Sequence, residues 1–491
     1  MKQIYTLLSI FTLSAGAANA QVTWSKHING SSAPIGTYQG QAFRESGFSG
    51  LCYIPGTQNE FFTISDRGPN IDAGNANCAS GDEKIFPFPA YIPKIHRIKI
   101  TDSIRILYTK TFKRPDGTGM TGLPNPNGAG NAREIAWSDT SNTCPNTKTL
   151  GTDAWGIDPE GIQIGANNTF WVCEEYGTTI QQLDSNGKVI NRYSPFGNAA
   201  NQIGIDTVLR YRTPNRGFEG VAVTPNGKVY GIVQSTMEFP KASVRDTTRI
   251  LRLVEIDPAT NTTRQFAYII DSAIGTGSNK IRFKDIKIGD MVAINNNEFL
   301  LIEHAVRGTT DRKKIYRIDI SGATPITTNW VGGKTIEQYY DSTGLAGIGI
   351  TAIKKWEFLD LLANGWDPTL DKPEDMAIVN DSTLVIGQDN DFGNTSVPAN
   401  GIILPTNLAS TMYVYKLAGS NKIAGYVKSP YTWPLSNTGI SSVDTPAIKI
   451  YPNPVQRGTN LQFSLPVSGM VYDMTGRVVL SMQNAGHINT A

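Results

Sequence analysis

The sequence predicts an all-β fold: a six-bladed β-propeller followed by a small β-sandwich-like module at the C-terminus. Two features of composition and one repeat predict it. Short β-branched and aromatic runs of about four to eight residues alternate with Gly, Asn, Asp and Pro across residues 40–430. The chain holds 48 Gly and 27 Pro but only 18% charged residues, a composition that favours turns over long solvated helices.

The repeat pairs two apolar runs around a turn, opens on a Gly or acidic pair and in most copies closes on an acidic group. Its copies are 47–51 with 61–66, 158–162 with 170–175, 218–222 with 229–232, 288–292 with 299–303, and 373–377 with 384–389. Each copy is followed by a second hairpin, at 95–98, 180–184, 250–253, 315–319 and 412–415, so two hairpins make a four-stranded unit. Five units are visible and the expected sixth is hidden by divergence. Radial closure protects the sheet edges and gathers inner-strand ends around a central channel. A β-sandwich or several small β-domains is the competing architecture. One helix is expected, at 352–363, where Trp356, Leu359 and Leu362 recur near helical spacing before Gly365 and Pro368.

Residues 1–20 read as a cleaved signal peptide: Lys2, an apolar run from Ile4 to Phe11, then Ala17-Ala18-Asn19-Ala20 before Gln21. No later segment is long and apolar enough to span a bilayer. The mature chain is read as a 21–428 propeller, a 429–446 linker and a 447–491 tail module. With 44 Lys and Arg against 42 Asp and Glu, the net charge of +2 points away from nucleic acid. Cys52, Cys78, Cys144 and Cys173 are expected to form two disulfides after export, their pairing open. The 4 histidines, His27, His96, His304 and His487, are too few and scattered for a multi-histidine metal site.

The tail, with Tyr451-Pro452-Asn453-Pro454 and Tyr472-Asp473-Met474-Thr475-Gly476-Arg477, resembles the type A sorting domain of the type IX secretion system of Bacteroidetes. It departs from that family at its end, where the last Gly-initiated strand and basic terminus are missing or altered. The resemblance implies passage across the outer membrane by that machinery and an extracellular or cell-surface location. The main body resembles the phytase-like family labelled "esterase-like activity of phytase". It does so through Ser65-Asp66-Arg67-Gly68-Pro69-Asn70, Asp158-Pro159-Glu160-Gly161-Ile162, Glu174-Glu175-Tyr176-Gly177, Phe218-Glu219-Gly220-Val221-Ala222 and Lys372-Pro373-Glu374-Asp375-Met376. That family's name implies hydrolysis of esters or phosphate esters.

On a propeller, equivalent strand ends face one channel mouth. Asp66, Glu174, Glu175, Glu303, Glu374, Asp375 and Asp389 are therefore the expected metal ligands. Like charges repel unless a cation offsets them, and calcium, a hard ion taking oxygen ligands, suits an exported protein. Arg67, Arg307 and Glu219 are the expected substrate contacts, the arginines gripping a phosphate or carboxylate. Asp66, Arg67, Glu160 and His304 are the expected catalytic groups, with His304 or a carboxylate as general acid or base. Simpler roles compete with these: an Asp66–Arg67 pair within a turn, Glu-Gly pairs whose Gly takes a positive φ, and a solvated turn at Arg312-Lys313-Lys314. There is no GxSxG elbow, P-loop, HExxH or CxxCH motif. The expected function is calcium-assisted hydrolysis of phosphate esters. The alternatives are a non-enzymatic propeller binding a glycan, peptide or phosphorylated ligand, and a hydrolase of carboxylic esters or lactones.

Overall fold

The structure, a computed structural model, describes residues 21–29, 33–73, 83–126, 134–138, 149–197, 201–393, 409–434, 450–451, 460–472 and 478–489. The expected signal peptide lies outside these residues, as do Cys78 and Cys144. The chain divides into two compact units, residues 1–435 and 436–491.

The larger unit is all-β and propeller-like. Five sheets begin with the inner strands Phe48–Tyr53, Pro159–Gly165, Phe218–Val223, Lys287–Ala293 and Lys372–Asn380. Each inner strand pairs antiparallel with the strand that follows it; two further strands complete the sheet outward in four cases and three in the second sheet, whose outermost strand Gln202–Gly204 runs parallel to its neighbour. In the fifth sheet the outermost strand is Val22–Ile28, from the start of the described chain, zipped onto Thr411–Leu417 from Val22↔Leu417 to Ile28↔Thr411. The N-terminal strand thus closes the last sheet.

Hydrophobic cores lie between consecutive sheets. Phe62 and Ile64 meet Ile162 and Phe170 between the first and second. Trp171 and Cys173 meet Phe218 and Val221 between the second and third. Tyr230 and Leu251 meet Ile288 and Phe299, and Leu300 and Ile302 meet Met376 and Ile386. Phe48 and Leu51 then pack on Ala377 and Val385, so the fifth sheet returns to the first. The ring closes with five sheets, leaving no gap for the sixth blade expected from the sequence. Near the axis the strands approach too closely for side chains: a Cβ on Gly220 would lie 2.6 Å from the Met291 nitrogen, and one on Gly161 would lie 3.0 Å from the Val221 nitrogen. Neither glycine adopts a positive φ, so close approach, not a turn, explains the Glu-Gly pairs.

Other expectations are corrected. Residues Lys354–Asp360 form the outer strand of the fourth sheet, with only a short 3-10 turn at Leu362–Asn364, in place of a 352–363 helix. Trp356 is exposed there while Leu359 and Leu361 are buried, the one-sided burial of an edge strand. Arg312 and Lys313 are buried within the strand Thr310–Asp319, paired with Glu303 and Asp311, and do not form a solvated turn. Cys52 and Cys173 are free, buried thiols facing apolar cores, so the expected disulfide pairing of the cysteines is overturned for both. They serve as small hydrophobes. Tyr431 and Trp433, read as linker, belong to the larger unit's packing: Trp433 stacks on Phe170 at 4.3 Å and meets Phe62 at 4.8 Å. The smaller unit shows one antiparallel sheet of Ile450–Tyr451, Asn460–Tyr472 and Val478–Asn489, not a sandwich among its described residues.

Candidate functional site

At one end of the ring, each inner strand begins beside the end of its neighbour. The facing pairs are Gly47 with Asp66, Asp158 with Glu175, Gly217 with Gln234, Lys287 with His304, and Lys372 with Asp389. Two or three residues further along every inner strand the ladder slips by a β-bulge, at Gly50, Glu160, Glu219, Gly289-Asp290 and Glu374 in turn. Residues i and i+2 share a strand face, and a bulge re-aims the side chain it carries. The second and fifth inner strands therefore deliver two polar side chains each to the same mouth, Asp158 with Glu160 and Lys372 with Glu374, while the third and fourth deliver one each, Glu219 and Lys287.

They enclose a cavity of about 70 Å³ lined by Asp66, Arg67, Asp158, Glu160, Glu175, Asn215, Glu219, Gln234, Lys287, Lys372, Glu374, Asp389 and Asp391. Every one of these side chains is polar, and the carboxyls outnumber the cations by eight to three. The charge is unevenly shared. The second and third sheets contribute only acids among their charged groups, the first contributes Asp66 with Arg67, the fourth contributes Lys287, and the fifth sets Lys372 among Glu374, Asp389 and Asp391.

Burial, compounded by neighbouring carboxylates, raises the acids. Asp66, Glu160 and Glu219 are held well above the ordinary carboxyl range. Burial also raises Asp158 to about 6 and Glu175 to about 7, although Arg67 opposes the first and Lys287 the second. Asp389 is raised by burial against the pull of Lys372. Glu374 differs: burial would raise it, but Lys372 and His304 together bring it to about 2. His304 Nε2 lies 3.1 Å from Glu374 Oε1 without hydrogen-bond alignment, so both buried atoms lack a hydrogen-bond partner.

Three sets of carboxylate oxygens lie within 4.8 Å of one another: Asp66, Asp158 and Glu160; Asp66, Asp389 and Asp391; Glu160, Glu175 and Glu219. Asp66 and Glu160 link the sets. The donors are all hard oxygens, and Asp158 Oδ1 is buried without a partner, so the residues fit a hard divalent cation.

The structure thus gathers Asp66, Arg67, Glu160, Glu175, Glu219, Glu374 and Asp389, with His304 against Glu374. It places four expected residues elsewhere. Glu174 accepts from Gly177 N, Thr179 N and Thr179 Oγ1 at 3.0, 3.0 and 2.8 Å, stabilising its own hairpin turn. Glu303 is bound by Tyr268, Arg312 and Lys355 between the third and fourth sheets. Arg307 lies beyond the rim, donating to Ser278 O at 3.1 Å and facing Asp285 at 3.5 Å. Asp375 is fully buried beside Gly387 and does not line the cavity. Arg67 lines the cavity, but its guanidinium is engaged by Glu134 at 2.6 Å, Tyr176 at 2.8 Å, Asn70 at 2.9 Å and Asp158 at 3.4 Å. Asp66 takes the Arg67 backbone N–H rather than its guanidinium.

Asp158, Lys287, Lys372, Asp391, Asn215 and Gln234 complete the lining and were not expected there. Asp158 and Lys372 stand two positions before Glu160 and Glu374, a period-2 signal within the quoted motifs. Lys287 holds the same place in the fourth sheet.

A family described as "Phytase-like: Esterase-like activity of phytase" matches residues 44–392, more than half of the chain. The chain belongs to the phytase-like family. Residues 449–491 match a "Secretion system C-terminal sorting domain", which marks this phytase-like protein for export to the outer cell surface by the type IX system. An "Uncharacterized secreted protein" of Arthroderma benhamiae is 29% identical over 177 residues, covering 30% of this chain. The matched stretch is 34% of that relative, so the chain spans about a third of its length. Among solved structures, the phytase-like chain is similar to a PQQ-bound aldose sugar dehydrogenase from Streptomyces coelicolor, at 9% identity and TM-score 0.31, over 80% of this chain and 99% of that one. A gluconolactonase from Xanthomonas campestris matches at 8% identity and TM-score 0.29, over 80% and 97%. A luciferin-regenerating enzyme matches at 10% and 0.31, over 82% and 100%. Among the described residues no helix is long and apolar enough to cross a membrane.

Proposed function

We propose that the phytase-like domain is a secreted ester hydrolase assisted by a divalent cation, calcium by preference, in the mouth cavity of the ring. The observation that carries this reading is the chain of three carboxylate sets joined through Asp66 and Glu160, with acids far in excess of cations. Asp66, Asp158 and Glu160 would hold the cation, with Asp389 and Asp391 or Glu175 and Glu219 extending the site to either side. When bound, such an ion polarises an ester oxygen and makes water more acidic.

The chain's own residues supply the rest. Ser49 Oγ holds Glu160, and Gln234 Nε2 holds Glu219 at 2.8 Å, so these carboxylates are fixed before any ligand arrives. Glu374, kept ionised by Lys372 and His304, faces the imidazole Nε2 at 3.1 Å, so this carboxylate in the cavity and the ring behind it form the pair through which a proton could be taken up and returned. Carboxylic esters, including lactones, fit this cavity better than phosphate monoesters. Arg67 and Lys372 are already ion-paired and Arg307 lies outside, which leaves only Lys287 beside the cation to balance a dianion. Phosphate esters remain the second reading, favoured by the family's description.

The test is release of product from a panel of aryl carboxylic esters, sugar lactones and phosphomonoesters including phytate, by the secreted protein with calcium or with EDTA. Calcium-dependent turnover of the esters or lactones is expected. Turnover unaffected by EDTA, or no turnover of any member by folded protein, would overturn the proposal.

A further inference from the structure

The cavity's three cations are not equivalent. Arg67 is tied to Glu134 and Asp158, and Lys372 lies 2.7 Å from Asp391 and 3.2 Å from Asp389. Lys287 lines the same cavity and, among the described residues, its ammonium has no hydrogen-bond partner and no carboxylate within 4.0 Å. It stands at the start of its inner strand directly opposite His304, on the side of the ring away from the linked carboxylates Asp66, Asp158 and Glu160. Its field reaches Glu175, Glu219 and Glu374, yet it contacts none of them as a salt bridge. Lys287 is partly exposed, so water solvates its ammonium until a ligand displaces it.

We propose that Lys287 is a substrate-binding residue that receives one negatively charged oxygen group of the substrate, beside the His304–Glu374 pair. The inference rests on the hydrolase reading above and narrows its substrate to an ester or lactone that carries an anionic oxygen group within reach of Lys287. A carboxylate and a phosphate share this oxyanion chemistry, and the cavity's volume of about 70 Å³ admits one such group with a few waters. Lys287 forms no covalent bond in this role. It fixes the end of the substrate by a charge-assisted hydrogen bond.

The test is calorimetric titration of the secreted protein with calcium, and then of the calcium-loaded protein with gluconate, inorganic phosphate and neutral glucose. It is run on the wild type, Lys287→Met and Lys287→Arg, with melting temperatures recorded beside it. The expected result is gluconate binding by the wild type, weakened at least tenfold in Lys287→Met and restored to within about threefold in Lys287→Arg. Calcium affinity should hold or rise, since the lost ammonium only opposed the cation at Glu175 and Glu219, and the melting temperature in calcium should stay unchanged, a pattern that a merely structural lysine would not produce. Loss of phosphate binding alone would keep the role of Lys287 and move the ester class to phosphate. Anion binding that depends on Lys287 in protein that takes up no calcium would keep this inference and sink the metal-assisted reading. Anion binding unchanged in Lys287→Met, or calcium uptake with no anion bound, would overturn the inference.

Discussion

Asp66 and Glu160 each belong to two of the carboxylate sets, so a single oxygen lost at either weakens both neighbours at once. Asp66→Asn and Glu160→Gln are each expected to lower calcium affinity by roughly 100-fold or more, beyond the 10–100-fold typical of supporting residues, as read by calorimetry. Glu303→Ala should behave in the opposite way. It breaks a buried cluster with Arg312 and Lys355, costing about 3–5 kcal/mol in denaturant unfolding, while activity per folded molecule is retained. The contrast turns on a one-residue offset. The repeat makes acidic strand ends visible in the sequence, but in Glu174-Glu175 and Glu303-His304 it is the second residue that faces the mouth. Parity could not be carried from the inner strands to these second strands, because every inner strand carries a bulge that shifts the register between the two. Lys287 was hidden for a related reason: a lone lysine at a strand start has no composition signal until the register sets it opposite His304.

At the scale of elements, the segment 418–434 acts as a strap across the end of the ring opposite the cavity. Ile423 N donates to Asp381 O at 2.7 Å, Val427 N to Ile294 O at 2.8 Å, and Tyr431 OH to Thr224 O at 3.3 Å before Trp433 docks on Phe62 and Phe170. The strap thereby touches turns of the fifth, fourth and third sheets and ends against the first and second. Trp433→Ala should lower unfolding free energy by about 3–5 kcal/mol in a denaturant titration, the usual cost of an aromatic core truncation. A loss below about 0.5 kcal/mol would return the segment to linker status. Proline and serine in 429–442 suggested a linker because composition does not report where a lone tryptophan docks. The five repeat copies proved to be the five sheets themselves, so the visible units needed no hidden partner. The 352–363 reading failed because Trp356, Leu359 and Leu362 also suit an edge strand running into a short turn.

For the ring as a whole, the buried acids couple stability to pH and to cation. Asp158 and Glu175 titrate near 6 and 7 in the folded protein but near 4 when unfolded, so the folded state binds more protons between those values. Without divalent cation, the contribution of these two groups is therefore fully present below about pH 4 and is lost as pH rises towards 7, by on the order of 3 kcal/mol for each, whereas Glu374, held at about 2, loses its contribution only as pH falls below about 4. In EDTA, the melting temperature should fall across that window. Calcium should restore it, most strongly at the neutral end where the carboxylates are ionised. The central claim, that these carboxylates form a cation site, is tested most directly by calorimetric titration of calcium into EDTA-treated, dialysed protein at pH 7. The account predicts saturable binding in the wild type and its loss in Asp66→Asn. Heats no larger than dilution in folded wild-type protein would contradict it.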